Sequence, residues 1–136
     1  DGWSELRTFL ESRVCKLQQL SLRGNYYICD PGVGILSNRL RGIGSSLKVL
    51  VLSNNAIGND GLLAVVEALA NNCSSLEKLD LSRNDFSFAE AGLGSLSGWL
   101  QRDEVNLKSL HLQCCRINDE GLRVVAQGVA NHCEEL

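Results

Sequence analysis

Leucines recur along the chain in a fixed spacing, L-x-x-L-x-L-x-x-(N/C), which occurs four times. The four copies begin at Leu17, Leu47, Leu76 and Leu107, so the repeating unit is 29–31 residues long. The L-x-L alternation places two leucines on the same side of a short strand. The pattern therefore predicts one short strand in each unit, with its leucines turned towards a core.

The last position of this template is filled by Asn25, Asn55, Asn84 and Cys115. An asparagine amide can satisfy backbone groups that are left unpaired where the chain turns out of a strand. Because equivalent positions stack at equal intervals, we expect the three asparagines to form a ladder. Cys115 then fills the same slot with a weaker S–H donor.

A glycine stands 15 residues before each leading leucine, and the residues 1, 4 and 8 positions after it are apolar. Spacings of three and four define one face of a helix. In the four full units this stripe consists of Val33, Leu36, Leu40, Leu62, Val65, Leu69, Leu93, Leu96, Leu100, Leu122, Val125 and Val129. Each unit is thus predicted to be a strand, a turn and a helix of about 12 residues, and the units must stack to bury their apolar faces. We expect Gly42 and Gly44 to weaken the helix of the first unit.

These residues resemble the leucine-rich repeat, and the unit length with its fixed glycine is similar to the ribonuclease-inhibitor-like class. Repeats of that class occur in intracellular nucleotide-binding immune receptors and in the Ran GTPase-activating protein. The resemblance implies an α/β solenoid, a horseshoe segment with a parallel sheet on the concave face and helices on the convex face. It also implies protein ligands on the concave face.

The resemblance covers the whole chain, 1–136, as a single repeat segment. Residues 1–16 are interpreted as the helical half of a preceding unit. The full units are 17–46, 47–75, 76–106 and 107–135, and Leu136 is the first residue of a further unit. Neither end shows a polar cap, so we expect a segment of a longer array that associates end to end when isolated.

Composition narrows the function classes. The hydrophobic fraction of 44% is typical of a globular chain, and no apolar run reaches the ~18 residues of a membrane helix. A formal net charge of −3 without a Lys/Arg cluster disfavours nucleic acid as a partner. The six cysteines include no C-x-x-C pair, so we expect free thiols in a cytoplasmic protein and neither a metal nor another cofactor.

Residues between the template leucines are predicted to face out from the concave face. Val49 and Val51 form a small apolar spot there, surrounded by Lys78, Asp80, Arg83, His111 and Gln113. An apolar centre with a charged rim is typical of a partner contact. The alternative is a solvated sheet face on which valines simply favour strand structure.

The strand-to-helix loops carry a second set of candidates, Tyr26, Asp85 and Phe88, which we call the loop edge. Exposed aromatic side chains make good anchors for a partner. The alternative for Phe88 is that it folds over its own loop. Trp99 lies off the helix stripe, and we expect it to pack against a neighbouring helix.

Asp80 and His111 occupy the same column of adjacent strands, as the members of a catalytic pair would. A nucleophile would have to be Ser53, Ser82, Ser109 or Cys114, all on an open surface without a glycine-rich oxyanion loop. We therefore expect a surface ion pair between Asp80 and His111, and no enzyme.

Three functions remain open. The preferred one is a non-catalytic interaction module that binds a protein partner through the concave face and the strand-to-helix loops. A second is a GTPase activator of the Ran-activator type, for which Asn59, Asn118 and Asp85 are polar candidates on the loops. A third is the sensing or structural repeat region of a larger nucleotide-binding receptor.

Overall fold

A computed structural model describes residues 16–26 and 28–130, apart from the side chains of residues 41 and 42. Strands and helices alternate strictly along the chain. They are β1 (Gln19–Ser21), α1 (Asp30–Ile43), β2 (Val49–Val51), α2 (Asn59–Asn72), β3 (Lys78–Asp80), α3 (Glu90–Leu100), β4 (Ser109–His111) and α4 (Asp119–Val129). The predictions for residues 1–15 and for Leu136 lie outside the described residues.

The four strands form one parallel sheet in the order β1-β2-β3-β4. Their central residues Leu20, Leu50, Leu79 and Leu110 are paired in register, and all four are buried. The helices form the second layer and pack in sequence, α1 on α2, α2 on α3 and α3 on α4. The predicted α/β leucine-rich repeat solenoid is confirmed.

The glycines that mark the repeat register are the third residue of each helix. A Cβ added at Gly92 would lie 2.9 Å from Cδ2 of Leu62, and one at Gly121 would lie 2.7 Å from Cδ1 of Leu93. Each of these leucines belongs to the preceding unit. At these positions glycine leaves room for a leucine of one helix to pack directly against the backbone of the next.

The helix stripe is buried in the first three units, but the prediction is wrong for Leu122, whose side chain is 58% exposed. Its equivalents Leu62 and Leu93 are covered by the glycine of the following unit. Within the described residues Leu122 has no such neighbour. Val125 and Val129 of the same helix are buried, as predicted.

The glycines Gly42 and Gly44 do not shorten the first helix, because α1 has 14 residues, the same length as α2. The Gly44 N–H donates to the Leu40 carbonyl at 2.7 Å and closes the helix. A Cβ at Gly44 would collide with the carbonyl oxygen of Asn72. The glycine therefore lets the ends of α1 and α2 approach each other closely.

The predicted asparagine ladder is present. The Asn55 amide donates to Leu22 O at 3.1 Å and Leu52 O at 2.8 Å, and Asn84 donates to Leu52 O and Leu81 O in the same way. In the fourth unit the Cys115 thiol donates to Leu81 O at 3.2 Å. Each rung therefore joins two successive units at the end of the strands where the chain leaves the sheet.

A second ladder, which the sequence reasoning missed, lies at the opposite end of the strands. Ser46 donates to Leu17 O, Ser75 to Ser45 O and Asn106 to Ser74 O, at 2.8–3.0 Å. The three donors stand immediately before the leading leucines. That shared position is the signal by which they can be found.

Candidate functional site

The sheet register brings the predicted concave patch together. Val49 pairs with Lys78, and Val51 pairs with Asp80, which in turn pairs with His111. All five side chains are partly exposed, whereas the leucines between them are buried. The valines thus lie on strand β2 directly beside the charged residues of β3.

Two further candidates, Arg83 and Gln113, lie where the chain leaves the sheet. The backbone N–H of Arg83 donates to the Gln113 carbonyl at 2.8 Å, and both side chains are exposed. The Gln113 side-chain oxygen accepts a hydrogen bond from Ser82 at 2.6 Å. These residues therefore extend the patch towards the loops.

The expected ion pair between Asp80 and His111 does not form within 4.0 Å. The His111 ring is held within its own strand instead, with Nε2 2.8 Å from Ser109 Oγ and Nδ1 3.4 Å from Gln113 Nε2. Asp80 accepts a hydrogen bond from the Ser82 backbone N–H at 3.0 Å. Neighbours along the chain thus take up the contacts that we expected between the two strands.

The Asp80 carboxylate remains ionised at neutral pH. Burial raises the pKa of Asp80, but hydrogen bonding from Ser82 and the charge of His111 lower it by more than burial raises it. The net pKa lies below the ordinary value of 3.8. The centre of the concave face therefore carries one fixed negative charge beside Lys78.

The hydrogen bond between Ser109 and His111 has the spacing of a nucleophile and its base. A catalytic triad also needs an acid that holds the other ring nitrogen. Here that nitrogen faces the Gln113 amide rather than a carboxylate. The described residues therefore do not complete a triad at this position.

A row of charges crosses the sheet at the start of the strands. Glu77 lies 3.9 Å from the Lys48 ammonium and 3.1 Å from that of Lys108. The hydrogen bond and charge of Lys108 lower the pKa of Glu77. These exposed pairs are weak. Lys48, Glu77 and Lys108 each stand directly after the leading leucine of their unit, and this shared position is the sequence signal that we missed.

At the loop edge, the structure separates the three candidates by their surroundings. Phe88 is 84% exposed, so the interpretation that it folds over its own loop is wrong. Tyr26 is 68% exposed, and its hydroxyl accepts a hydrogen bond from the Asn54 amide at 3.1 Å. Asp85 is engaged, because it accepts from Ser87 and pairs with Arg116 at 3.1 Å. Trp99 is buried, as expected.

Two of the three polar candidates for GTPase activation, Asn59 and Asn118, hold helices in place. The Asn59 side chain accepts from the Gly92 N–H at 3.0 Å, and Asn118 accepts from the Gly121 N–H at 2.8 Å. Asp30 acts in the same way across units, because its carboxylate accepts from the Gly58 N–H at 2.6 Å. Each of these side chains stabilises the start of a helix.

One backbone conformation recurs where the strands end. Gly24, Asn54, Arg83 and Cys114 all have left-handed backbones, with φ between 58° and 76°. Only glycine adopts this region freely, and asparagine tolerates it. The sequence shows the suitable residues in the first two units but gives no signal for Arg83 and Cys114.

The thiols divide into two classes. Cys29 and Cys114 are exposed, Cys73 and Cys115 are buried, and all four are unpaired. Burial raises the pKa of Cys73 to about 11 and also raises that of Cys115.

In the part of the chain that the structure describes, no group of three or more His, Cys, Asp or Glu side chains is placed to hold a metal ion. Nor does any helix of that part have the length and apolar character needed to cross a membrane.

Comparison with known proteins gives three regions that match the family described as Leucine Rich repeat, residues 45–66, 72–87 and 105–126. Ribonuclease inhibitor of Sus scrofa is 34% identical over 127 residues, which is 93% of this chain and 27% of the relative. The NACHT, LRR and PYD domains-containing protein 14 of Mus musculus is 34% identical over 129 residues, 93% of this chain and 12% of the relative. Ribonuclease inhibitor of Mus musculus is 33% identical over 84 residues, 62% of this chain and 18% of the relative. The chain thus spans about a quarter or less of the length of these relatives.

Proposed function

Because the units of this chain are leucine-rich repeats of the ribonuclease-inhibitor-like class, we propose that it is a non-catalytic module that binds a protein partner. The contact surface consists of the concave face and the loop edge. Its members are Val49, Val51, Lys78, Asp80, Arg83, His111 and Gln113 on the concave face, and Tyr26, Asp85 and Phe88 on the loop edge.

The observation that carries this proposal is the register of β2 on β3. It places Val49 and Val51, both partly exposed, beside Lys78 and Asp80 on a sheet whose backbone is held by parallel pairing on both sides. A surface of this kind is preorganised, so a partner does not have to order it on binding. Phe88 and Tyr26 add exposed aromatic area, which is enriched among the residues that dominate binding energies.

A comparison of two matched variants tests this proposal. Val49→Asp changes an apolar side chain on the concave face, and Ile35→Asp makes the same change on α1, where Ile35 is 47% exposed. Proteins that co-purify with the wild-type chain are quantified by mass spectrometry for each variant. We expect at least one partner to be lost with Val49→Asp and retained with Ile35→Asp. Equal retention by both variants would contradict a concave binding surface.

The similarity to a NACHT, LRR and PYD protein favours a second candidate, in which these repeats belong to a larger nucleotide-binding receptor. The concave face would then serve as the sensing surface of that receptor. Sequencing the complete transcript tests this candidate, because it predicts a nucleotide-binding domain in the same reading frame. A complete reading frame without such a domain would exclude it.

We further propose a cytoplasmic location for the protein. The four described cysteines are unpaired, and two of them are exposed, which suits a reducing compartment. Alkylation of intact cells followed by fractionation measures both properties. Reduced thiols in the cytosolic fraction are expected, and disulfide-bonded protein in a secreted fraction would contradict the proposal.

A further inference from the structure

Charge is unevenly distributed between the two layers of the fold. The strand segments, 16–26, 46–57, 75–86 and 106–117, contain seven Lys or Arg and three Asp or Glu. The remaining described residues contain four Lys or Arg and eight Asp or Glu. The side that carries the concave face thus has a formal charge of +4, although the whole chain has a net charge of −3.

Ion pairing does not neutralise this excess. Glu77 is shared between Lys48 and Lys108, and Asp85 pairs with Arg116. Among the described residues, no carboxylate lies within 4.0 Å of the cationic groups of Arg23, Lys78 or Arg83. On the helix side, by contrast, both Arg102 and Arg123 are paired. The concave side therefore presents unpaired cations to solvent.

We propose that the concave face binds an acidic segment of a protein partner, one that carries aliphatic side chains among its carboxylates. This inference rests on the function proposed above and names the chemical class of the partner. Lys78 pairs in register with Val49 on β2 and with Ser109 on β4. Carboxylates of the partner meet Lys78 and Arg83, while its aliphatic side chains cover Val49 and Val51.

Asp80 favours a protein segment over a nucleic acid. Its carboxylate lies between Val51 and His111 in the sheet register, at the centre of the cationic surface. A peptide can present a backbone N–H to this carboxylate and form a charge-assisted hydrogen bond. The phosphate groups of a nucleic acid have no hydrogen-bond donor for Asp80 and are repelled by it. An extended phosphate strand also needs an uninterrupted cationic track.

Opposite charge on the two surfaces has a measurable consequence, because it increases the rate of association and makes the affinity depend on salt. Fluorescence anisotropy with the whole 136-residue chain provides the test. The probes are a labelled peptide of four Glu-Glu-Val-Gly repeats, the same peptide with lysine for glutamate, and a single-stranded RNA of 16 nucleotides. We expect the acidic peptide to bind at least tenfold more tightly than either of the other probes. We expect its affinity to fall as the salt concentration rises from 50 to 300 mM.

Two double variants with the same change in total charge locate the interaction. Lys78→Glu with Arg83→Glu reverses two of the unpaired cations of the concave side, and Arg102→Glu with Arg123→Glu reverses two on the helix side. We expect the first double variant to bind the acidic peptide at least tenfold more weakly than the wild-type chain, and the second less than threefold more weakly. Circular dichroism of each variant checks that the fold is retained.

Equal losses with both double variants would contradict the proposal, because they would show an effect of total charge alone. No binding of the acidic peptide, or tighter binding of the RNA, would contradict it as well. If the basic peptide binds more tightly and this binding is lost with Val49→Asp, only the proposed sign of the partner's charge would be overturned. The proposed concave binding surface would stand in that case.

Discussion

Replacing Asn84 by alanine tests the physical account of how the units are held together. The Asn84 side chain is 5% exposed and makes three hydrogen bonds. Its amide donates to Leu52 O at 3.0 Å and Leu81 O at 2.7 Å, and its oxygen accepts from the Ile57 N–H at 3.2 Å. Alanine removes all three without changing the backbone.

The three losses differ in cost because both carbonyl acceptors keep another donor, whereas the N–H donor loses its partner. Leu52 O still accepts from Asn55 at 2.8 Å, and Leu81 O still accepts from the Cys115 thiol at 3.2 Å. The N–H of Ile57, a residue that is 0% exposed, is left without this partner. A buried unsatisfied donor costs about 2 kcal/mol, and each lost bond to a carbonyl about 0.5–1 kcal/mol. We therefore expect a loss of about 3 kcal/mol in the free energy of unfolding.

Urea unfolding followed by circular dichroism and by tryptophan fluorescence measures this loss. With an m-value of about 2 kcal/mol/M, the midpoint should fall by about 1.5 M. Asn55→Ala should cost less, because the buried Asn55 Oδ1 has no hydrogen-bond partner. Asn38→Ala, at an exposed helix position, is the matched control and should change stability by less than about 0.5 kcal/mol. If Asn84→Ala behaves like Asn38→Ala, the ladder does not hold the units together.

Three further predictions each concern one side chain. Asp30→Ala removes the acceptor of the Gly58 N–H and should cost about 1 kcal/mol in urea unfolding, whereas Asp30→Asn should keep most of the stability; equal losses would contradict the inter-unit cap. Because the pKa of Asp80 is lowered in the folded chain, its ionised form stabilises the fold at pH values above the ordinary pKa of 3.8. This contribution is lost as the pH falls through the lowered pKa. A carboxyl NMR titration of Asp80 with a midpoint at or above 3.8 would refute this prediction. Leu122 is 58% exposed, so we expect the chain to self-associate, to an extent that grows with concentration in analytical ultracentrifugation. Leu122→Asp should reduce this self-association. A wild-type chain that is monomeric at all concentrations would contradict the prediction.

The elements and their order could be predicted because each leucine and each glycine acts within its own unit or on its immediate neighbour. Leu50 and Leu79 are buried for the reason that the L-x-L alternation indicates. The asparagine ladder could be predicted because equivalent positions stack when units repeat. Periodicity thus carries the information about the sheet, the helix faces and the patch of Val49, Val51, Lys78 and Asp80.

Contacts between non-equivalent positions of successive units could not be predicted. Gly44 looks like a helix breaker in the sequence, yet it is required by the carbonyl of Asn72, which lies 28 positions further along. The caps from Asp30 to Gly58 and from Asn59 to Gly92 join residues 28 and 33 positions apart. The exposure of Phe88 and the ring contacts of His111 likewise depend on local geometry that residue type alone does not specify.

Site-specific photo-crosslinking tests the central claim, that the concave face contacts a protein partner. A photo-reactive amino acid is placed at Val51 on the concave face or at Glu67 on the exposed side of α2, and each chain is irradiated with the partner identified by co-purification. The account predicts a covalent adduct from position 51 and none from position 67. An adduct that forms only from position 67 would contradict it, because the partner would then bind the helices rather than the sheet.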